Sequence, residues 1–202
     1  MDISKLVLSG KIYIICIHFG TLSNIFILIF FEYNSMWKKI EETFKNRPSQ
    51  FKVVRELYKK GFKIDAEGKV CAGSIKIPHV QLAKSIGVDR RVVDEATKII
   101  LDDVTLKKIF MNLDSIPFLK NVASYFGMSV LIVTAEDADQ PGLLSRITQI
   151  LAIHKVNIRQ AVAKDPEIDE QPKLYMMVDG TVPPDVIVKI REMKGIKSVT
   201  LQ

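Results

Sequence analysis

The chain has 202 residues, 48% of them apolar, with a mean hydropathy of +0.15 and a formal charge of +6, enough for one large or two small globular domains. Two cysteines, Cys16 and Cys71, and three histidines, His18, His79 and His154, are scattered without paired spacing. That excludes a disulfide scaffold and a structural zinc site, and it fits a reducing cytosol.

Residues 1–35 carry two lysines and two acids, so their charges cancel. From Ile12 to Phe31 no residue is charged, and twenty residues at about 1.5 Å rise each just cross a bilayer core of about 30 Å. Three readings of this hydrophobic extension stay open: a membrane segment over 12–31, a buried helix, or an over-extended reading frame whose true start is Met36. A cleavable signal peptide fits poorly, because no small-x-small site precedes Glu32-Tyr33-Asn34. The expected location is cytoplasmic unless 12–31 is a genuine membrane anchor.

Residues 36–127 hold 18 Lys and Arg against 11 Asp and Glu, whereas residues 128–202 hold 9 against 10. A basic middle favours polyanionic partners, although a solvated Lys-rich surface would look the same. Within 36–105 a helical domain is expected. Trp37, Ile40 and Phe44, then Phe51, Val54, Leu57 and Tyr58, recur at helical spacing, with a break at Pro48 and a stop at Gly61. Phe62-Lys63-Ile64 and the run Val70 to Ile77 predict a short hairpin with Gly68 in its turn, closed by Pro78.

His79 to Ile100 meets four demands of two short helices packed at a steep angle. Ala83 is small where they approach, and Gly87 tolerates the positive φ that ends the first helix. Leu82, Ile86, Val88, Val93 and Ala96 fill the wedge, and Asp89 caps the second helix. This window resembles the helix-turn-helix signature of transcription regulators. The resemblance implies contact with double-stranded DNA through Arg90 and Arg91 at the start of the second helix, supported by Thr97 and Lys98. Lys84 and Lys76 would hold backbone from the first helix and the hairpin, making a winged variant. Asp94 and Glu95 on the same helix oppose phosphate binding, and such modules also serve as protein-interaction units.

Residues 106–127 read as a helical connector broken at Ser115-Ile116-Pro117, with a second helix over Phe118 to Phe126 ended by Gly127. Residues 128–202 read as strand, helix, strand, strand, helix, strand. Met128 to Ala135 is a covered strand; Leu143, Leu144, Ile147, Ile150 and Leu151 stripe a helix over Pro141 to His154. Val156 to Ala163 alternates, an acidic loop runs from Asp165 to Pro172, and Leu174 to Val178 follows. Pro183-Pro184 opens the last helix and Ile196 to Leu201 ends the chain. The whole is therefore α+β, with a ferredoxin-like βαββαβ C-terminal domain.

The first turn of that domain, Asp139-Gln140-Pro141-Gly142-Leu143-Leu144, leaves helix N-terminal amides unpaired beside a glycine, a ready site for a carboxylate. Asp-x-Pro-Gly-x-Leu with the following helix and the Asn157-Ile158 step resembles the ACT domain, an amino-acid-sensing module, over essentially all of 128–202. The resemblance implies that Asp139 engages a ligand ammonium and that the amides of Gly142 and Leu143 hold its carboxylate. Asn157 and Ile158 would complete the pocket, from the same chain or a second copy of a homodimer paired sheet edge to sheet edge. The plainer alternative is that Asp139 only caps the helix and the domain only dimerises.

From Met36 onward the chain resembles archaeal regulators of amino-acid metabolism that join a helix-turn-helix to an ACT domain. That implies an amino-acid-responsive, DNA-binding transcription regulator. The alternative is a regulatory subunit docking on an amino-acid biosynthetic enzyme. No nucleophile–base pair, metal cluster or phosphate loop is evident, so no enzyme activity, metal or cofactor is expected.

Overall fold

The computed structural model describes residues 36–202 in full and, as backbone alone, residues 2–8, 12–18 and 25–31. Strands β1 (Asp2–Leu8), β2 (Ile12–His18) and β3 (Ile25–Phe31) pair antiparallel in chain order. The stretch read as a helical span over 12–31 is thus strand in its described parts, and residues 19–24 lie outside the described residues. Its β-branched and aromatic content suits pleated backbone. Among the described residues no helix is long and apolar enough to cross a membrane.

The next unit comprises α1 (Met36–Phe44), α2 (Pro48–Lys60), strands β4 (Lys63–Ile64), β5 (Val70–Ala72) and β6 (Ile75–Ile77), then α3 (His79–Ile86), α4 (Arg90–Asp102) and α5 (Val104–Met111). Pro48 stands in the first turn of α2, where a missing N–H costs nothing, and Gly61 ends the helix at φ 65°. Trp37, Ile40, Phe44, Val54, Leu57, Val93 and Ile100 close one core, with Trp37 against the rings of Phe51 and Tyr58 at 5.7 and 5.6 Å. Leu106 and Phe110, within the expected connector, are fully buried in this same core. The single strand expected over Val70 to Ile77 is instead two strands folded at Gly73, φ 59°, so the sheet has three strands in the order β4-β5-β6.

Gly87 ends α3 at φ 75° while the amides of Gly87 and Val88 both bond Ala83 O. Asp89 then caps α4 by accepting the Arg91 N–H at 2.8 Å. Asp103 ends α4 and begins α5, its Oδ1 accepting the Thr105 and Leu106 N–H groups at 2.8 and 2.9 Å. The helix expected over 118–126 is two 3-10 turns, Leu119–Asn121 and Ala123–Phe126. The Gln160 side chain takes both polar groups of the entry, accepting from Leu119 N–H at 3.0 Å and donating to Pro117 O at 2.8 Å. A continuing helix would have offered that carbonyl to residue 121.

The C-terminal unit follows the expected βαββαβ order: β7 (Met128–Ala135), α6 (Leu143–Ile153), β8 (Ile158–Ala163), β9 (Leu174–Asp179), α7 (Pro184–Arg191) and β10 (Ile196–Leu201). The antiparallel sheet runs β10-β7-β9-β8. Alternation decides its two faces. Leu131, Val133, Met176 and Val178 pack under α6 and α7, while Val130, Ile132 and Met177 face the 3-10 turns through Leu119 and Ala123.

Candidate functional site

The link from β7 to α6 is built for an open helix start. Pro141 fixes its own φ, and Gly142 takes φ 81° as N-cap, a conformation that costs glycine nothing. No side chain caps α6. Its first amides therefore keep their dipolar pull on an anion. Asp139 does not cap the helix either: it is exposed, and its backbone N–H donates to Asp137 Oδ1 at 3.0 Å.

Gly142 and Leu143 open into a cavity of about 280 Å³. Val133 and Ala135 of β7 and Leu144 form apolar walls on one side; Ala163, Pro172 and Leu174 form them on the other. Lys164 and Lys173 line it as well, the Lys164 ammonium itself lying over the Phe118 ring at 5.7 Å, and Gln140 brings an amide. Such a space takes a small molecule with a hydrocarbon part and an anionic end. The Ala163 to Leu174 side was not foreseen, because its residues flank a loop and converge only when β8 pairs with β9.

Asn157 and Ile158 lie elsewhere. They line a more open depression with Thr148, Gln149 and Ala152, and Ser145 is shared between it and the cavity. Asn157 Nδ2 donates to Asp179 Oδ2 at 2.7 Å, and Arg159 Nε donates to Asp179 Oδ1 at 2.7 Å. The Arg159 hydrogen bond, then that of Asn157, hold the Asp179 carboxyl below its usual range. Within one chain, then, Gly142 and Leu143 come together and Asn157 and Ile158 come together, across the first turns of α6.

The basic residues of the N-terminal unit divide similarly. Arg90, Arg91, Lys84 and Lys98 are all exposed. Arg90 and Lys76 line one groove between β6 and the starts of α3 and α4, joined there by Lys69, a cation not singled out from the sequence. Lys98 lies on another groove beside Glu95, Asp102 and Arg47. Lys76 is engaged by Asp65 Oδ2 at 3.0 Å, and that hydrogen bond raises its ammonium above the usual range. Thr97, expected as a supporting contact, is 3% exposed and spends its hydroxyl on Asp94 O at 3.0 Å, so it offers no surface.

Asp94 and Glu95 are not free acids. His79 Nδ1 lies 2.7 Å from Asp94 Oδ1, and Arg90 Nε donates to Oδ2 at 3.2 Å; the His79 bond chiefly lowers the carboxyl's pKa. The Val70 N–H donates to His79 Nε2 at 3.3 Å, so the imidazole carries its proton on Nδ1, toward the carboxylate. Glu95 accepts from Gln50 Nε2 at 2.7 Å. One ring thus ties the small sheet, α3 and α4 into one frame, and Asp94 in turn holds Arg90. Among the described residues no group of His, Cys, Asp and Glu could hold a metal ion.

Residues 129–192 match a family model described as the ACT domain. Among solved structures, the chain is similar to the ACT domain from GTP pyrophosphokinase of Chlorobium tepidum, at 19% identity, covering 37% of this chain and 95% of that chain with a TM-score of 0.29. It is also similar to an AsnC family transcriptional regulator from Agrobacterium tumefaciens, at 13% identity, covering 76% and 86% of the two chains with a TM-score of 0.26. No curated protein matches the chain.

Proposed function

With an ACT domain at 129–192 as the premise, we propose that the chain is an amino-acid-responsive regulator that binds double-stranded DNA as a homodimer. The observation that carries the sensing half is the uncapped start of α6 opening at Gly142 into a cavity of about 280 Å³. A free amino acid supplies the carboxylate those amides and the neighbouring Lys173 attract, and the apolar walls favour an aliphatic or aromatic side chain over a charged one. Asp139, exposed and outside the cavity lining, would have to turn inward to meet the ammonium. A second copy joined along a sheet edge would supply Asn157 and Ile158.

The reading half is α3 and α4. Arg90 and Arg91 open the second helix of the pair, where side chains reach base edges, and Lys76, Lys69 and Lys84 flank it to meet phosphate. Arg90 offsets the charge of Asp94 at 3.2 Å, whereas Glu95, held by the uncharged Gln50 amide, stays an exposed anion on α4.

Two measurements test this. A thermal-shift screen of the twenty amino acids should give at least one apolar ligand that raises Tm. At a hundredfold excess over Kd the gain is about 2.7 kcal/mol, or roughly 5–11 °C for a chain of this size. DNA affinity should fall steeply with salt and drop in Arg90→Ala/Arg91→Ala. DNA affinity no better than that of a neutral protein, together with capture of an amino-acid biosynthetic enzyme, would move the role to that of an enzyme's regulatory subunit.

A further inference from the structure

The loop between β8 and β9, residues 164–173, contains the acidic stretch expected from Asp165 to Pro172, yet its Ile168 is 6% exposed and belongs to the core of the N-terminal unit. Two cations of α2, one turn apart, hold the tip there. Arg55 Nη2 donates to Ile168 O at 2.6 Å, and Lys59 Nζ meets Asp169 Oδ1 at 3.0 Å. The loop is stiffened from within. Lys164 N–H closes its base on Lys173 O at 3.0 Å, and Asp165 O accepts from the Ile168 and Asp169 amides at 3.1 and 2.9 Å. Its base is the cavity wall: Lys164, Pro172 and Lys173 line the space beneath Gly142.

We propose that this loop is a lever through which occupancy of the cavity is read by the N-terminal unit; only the identity of the occupant rests on the amino-acid reading above. A guest that spreads or draws in Lys164 and Lys173 must move a braced segment whose far end is seated against α2. That helix packs on α4, which carries Arg90 and Arg91. The seat is also poised for release. Arg55 Nε is buried without a hydrogen-bond partner, a desolvation cost that withdrawal of the tip relieves by letting in water. Docked and withdrawn arrangements are therefore closer in free energy than the burial of Ile168 alone would make them.

The sole tryptophan supplies a reporter. Trp37 lies against Phe51 and Tyr58, which share a face of α2 with Arg55, and the C-terminal unit contains no tryptophan. Each of the twenty amino acids is added to the full-length chain while Tm and Trp37 emission are followed, in wild type and in Ile168→Ala. A ligand that raises Tm should shift the emission in wild type; in Ile168→Ala the Tm rise should persist and the emission shift should vanish. An unchanged emission in wild type, or an equal response in both proteins, overturns the lever. If no amino acid raises Tm, the ligand reading fails and Ala163→Leu, which fills the cavity from its wall, decides the lever alone. It should shift Trp37 emission in an otherwise wild-type chain and not beside Ile168→Ala, and equal behaviour in both again overturns it. Should Ile168→Ala not fold, Asp169→Ala, which removes only the ion pair with Lys59, takes its place and should reduce the response at least twofold; an undiminished response overturns the lever.

Discussion

Gly61 and Gly87 adopt nearly the same left-handed backbone, φ 65° and 75°, in different surroundings, so alanine at each separates conformational strain from crowding. A Cβ on Gly87 meets nothing within 4 Å. Its substitution should cost the left-handed strain alone, about 1–2 kcal/mol, partly offset by a stiffer unfolded chain. A Cβ on Gly61 would fall on the carbonyl oxygen of Asp114, 2.8 Å from its carbonyl carbon and 3.1 Å from Ser115 Cα. Backbone cannot rotate away as a side chain can, so the 113–115 segment must shift, at about 1–3 kcal/mol. The shift also strains the Ser115 hydroxyl bonds to Lys60 O and Gly61 O at 2.9 and 3.0 Å, adding roughly 1 kcal/mol. Gly61→Ala should thus lose about 3–5 kcal/mol in all, against about 1 for Gly87→Ala, or roughly 6–20 °C in Tm against 2–4 °C. Thermal unfolding followed by Trp37 fluorescence measures both. Two variants melting within about 2 °C of each other would refute the close approach of Asp114 to the end of α2.

Asp103→Ala removes the cap of α5 and the 3.3 Å pair with Lys39, and should cost about 1–2 kcal/mol in urea unfolding. The Leu106 amide first, against a smaller desolvation penalty, holds the Asp103 carboxyl below its usual range. Its contribution is therefore whole above the ordinary carboxylate pKa and disappears as pH falls through the lowered folded value, so variant and wild type should converge in acid. A gap that stays constant through acid would show that the carboxylate's charge is irrelevant. Gln160→Ala leaves Pro117 O and Leu119 N–H without their partner; hydrogen exchange at Leu119 should quicken while Met177, fully buried on β9, keeps its protection.

The C-terminal architecture was legible because each strand alternates or runs apolar at the right length and Gly142 and Gly195 punctuate it. The helix pair was legible because Ala83, Gly87 and Asp89 each perform one local task. What escaped reading was long-range. Ile168 stands alone among Asp165, Glu167, Asp169 and Glu170, so no periodicity marks it, and its partner Arg55 is 113 residues away. Asp94 looked free because its hydrogen-bond partner His79 belongs to another helix. The cavity's far wall was hidden for the same reason, since Ala163 and Leu174 meet only through β8–β9 register. Local rules describe elements well, but they carry no information on which elements meet.

The 3-10 turns lie as a roof on the sheet face opposite the two helices, with Leu119 and Ala123 over Val130, Ile132 and Met177 and Phe118 edge-on to Tyr175 at 5.3 Å. Two copies stacking flat would first have to peel this roof away and break both Gln160 bonds that pin it. Lateral growth along the β8 or β10 margin would leave it whole, so a second copy would meet less resistance at the margins of this sheet than on its face.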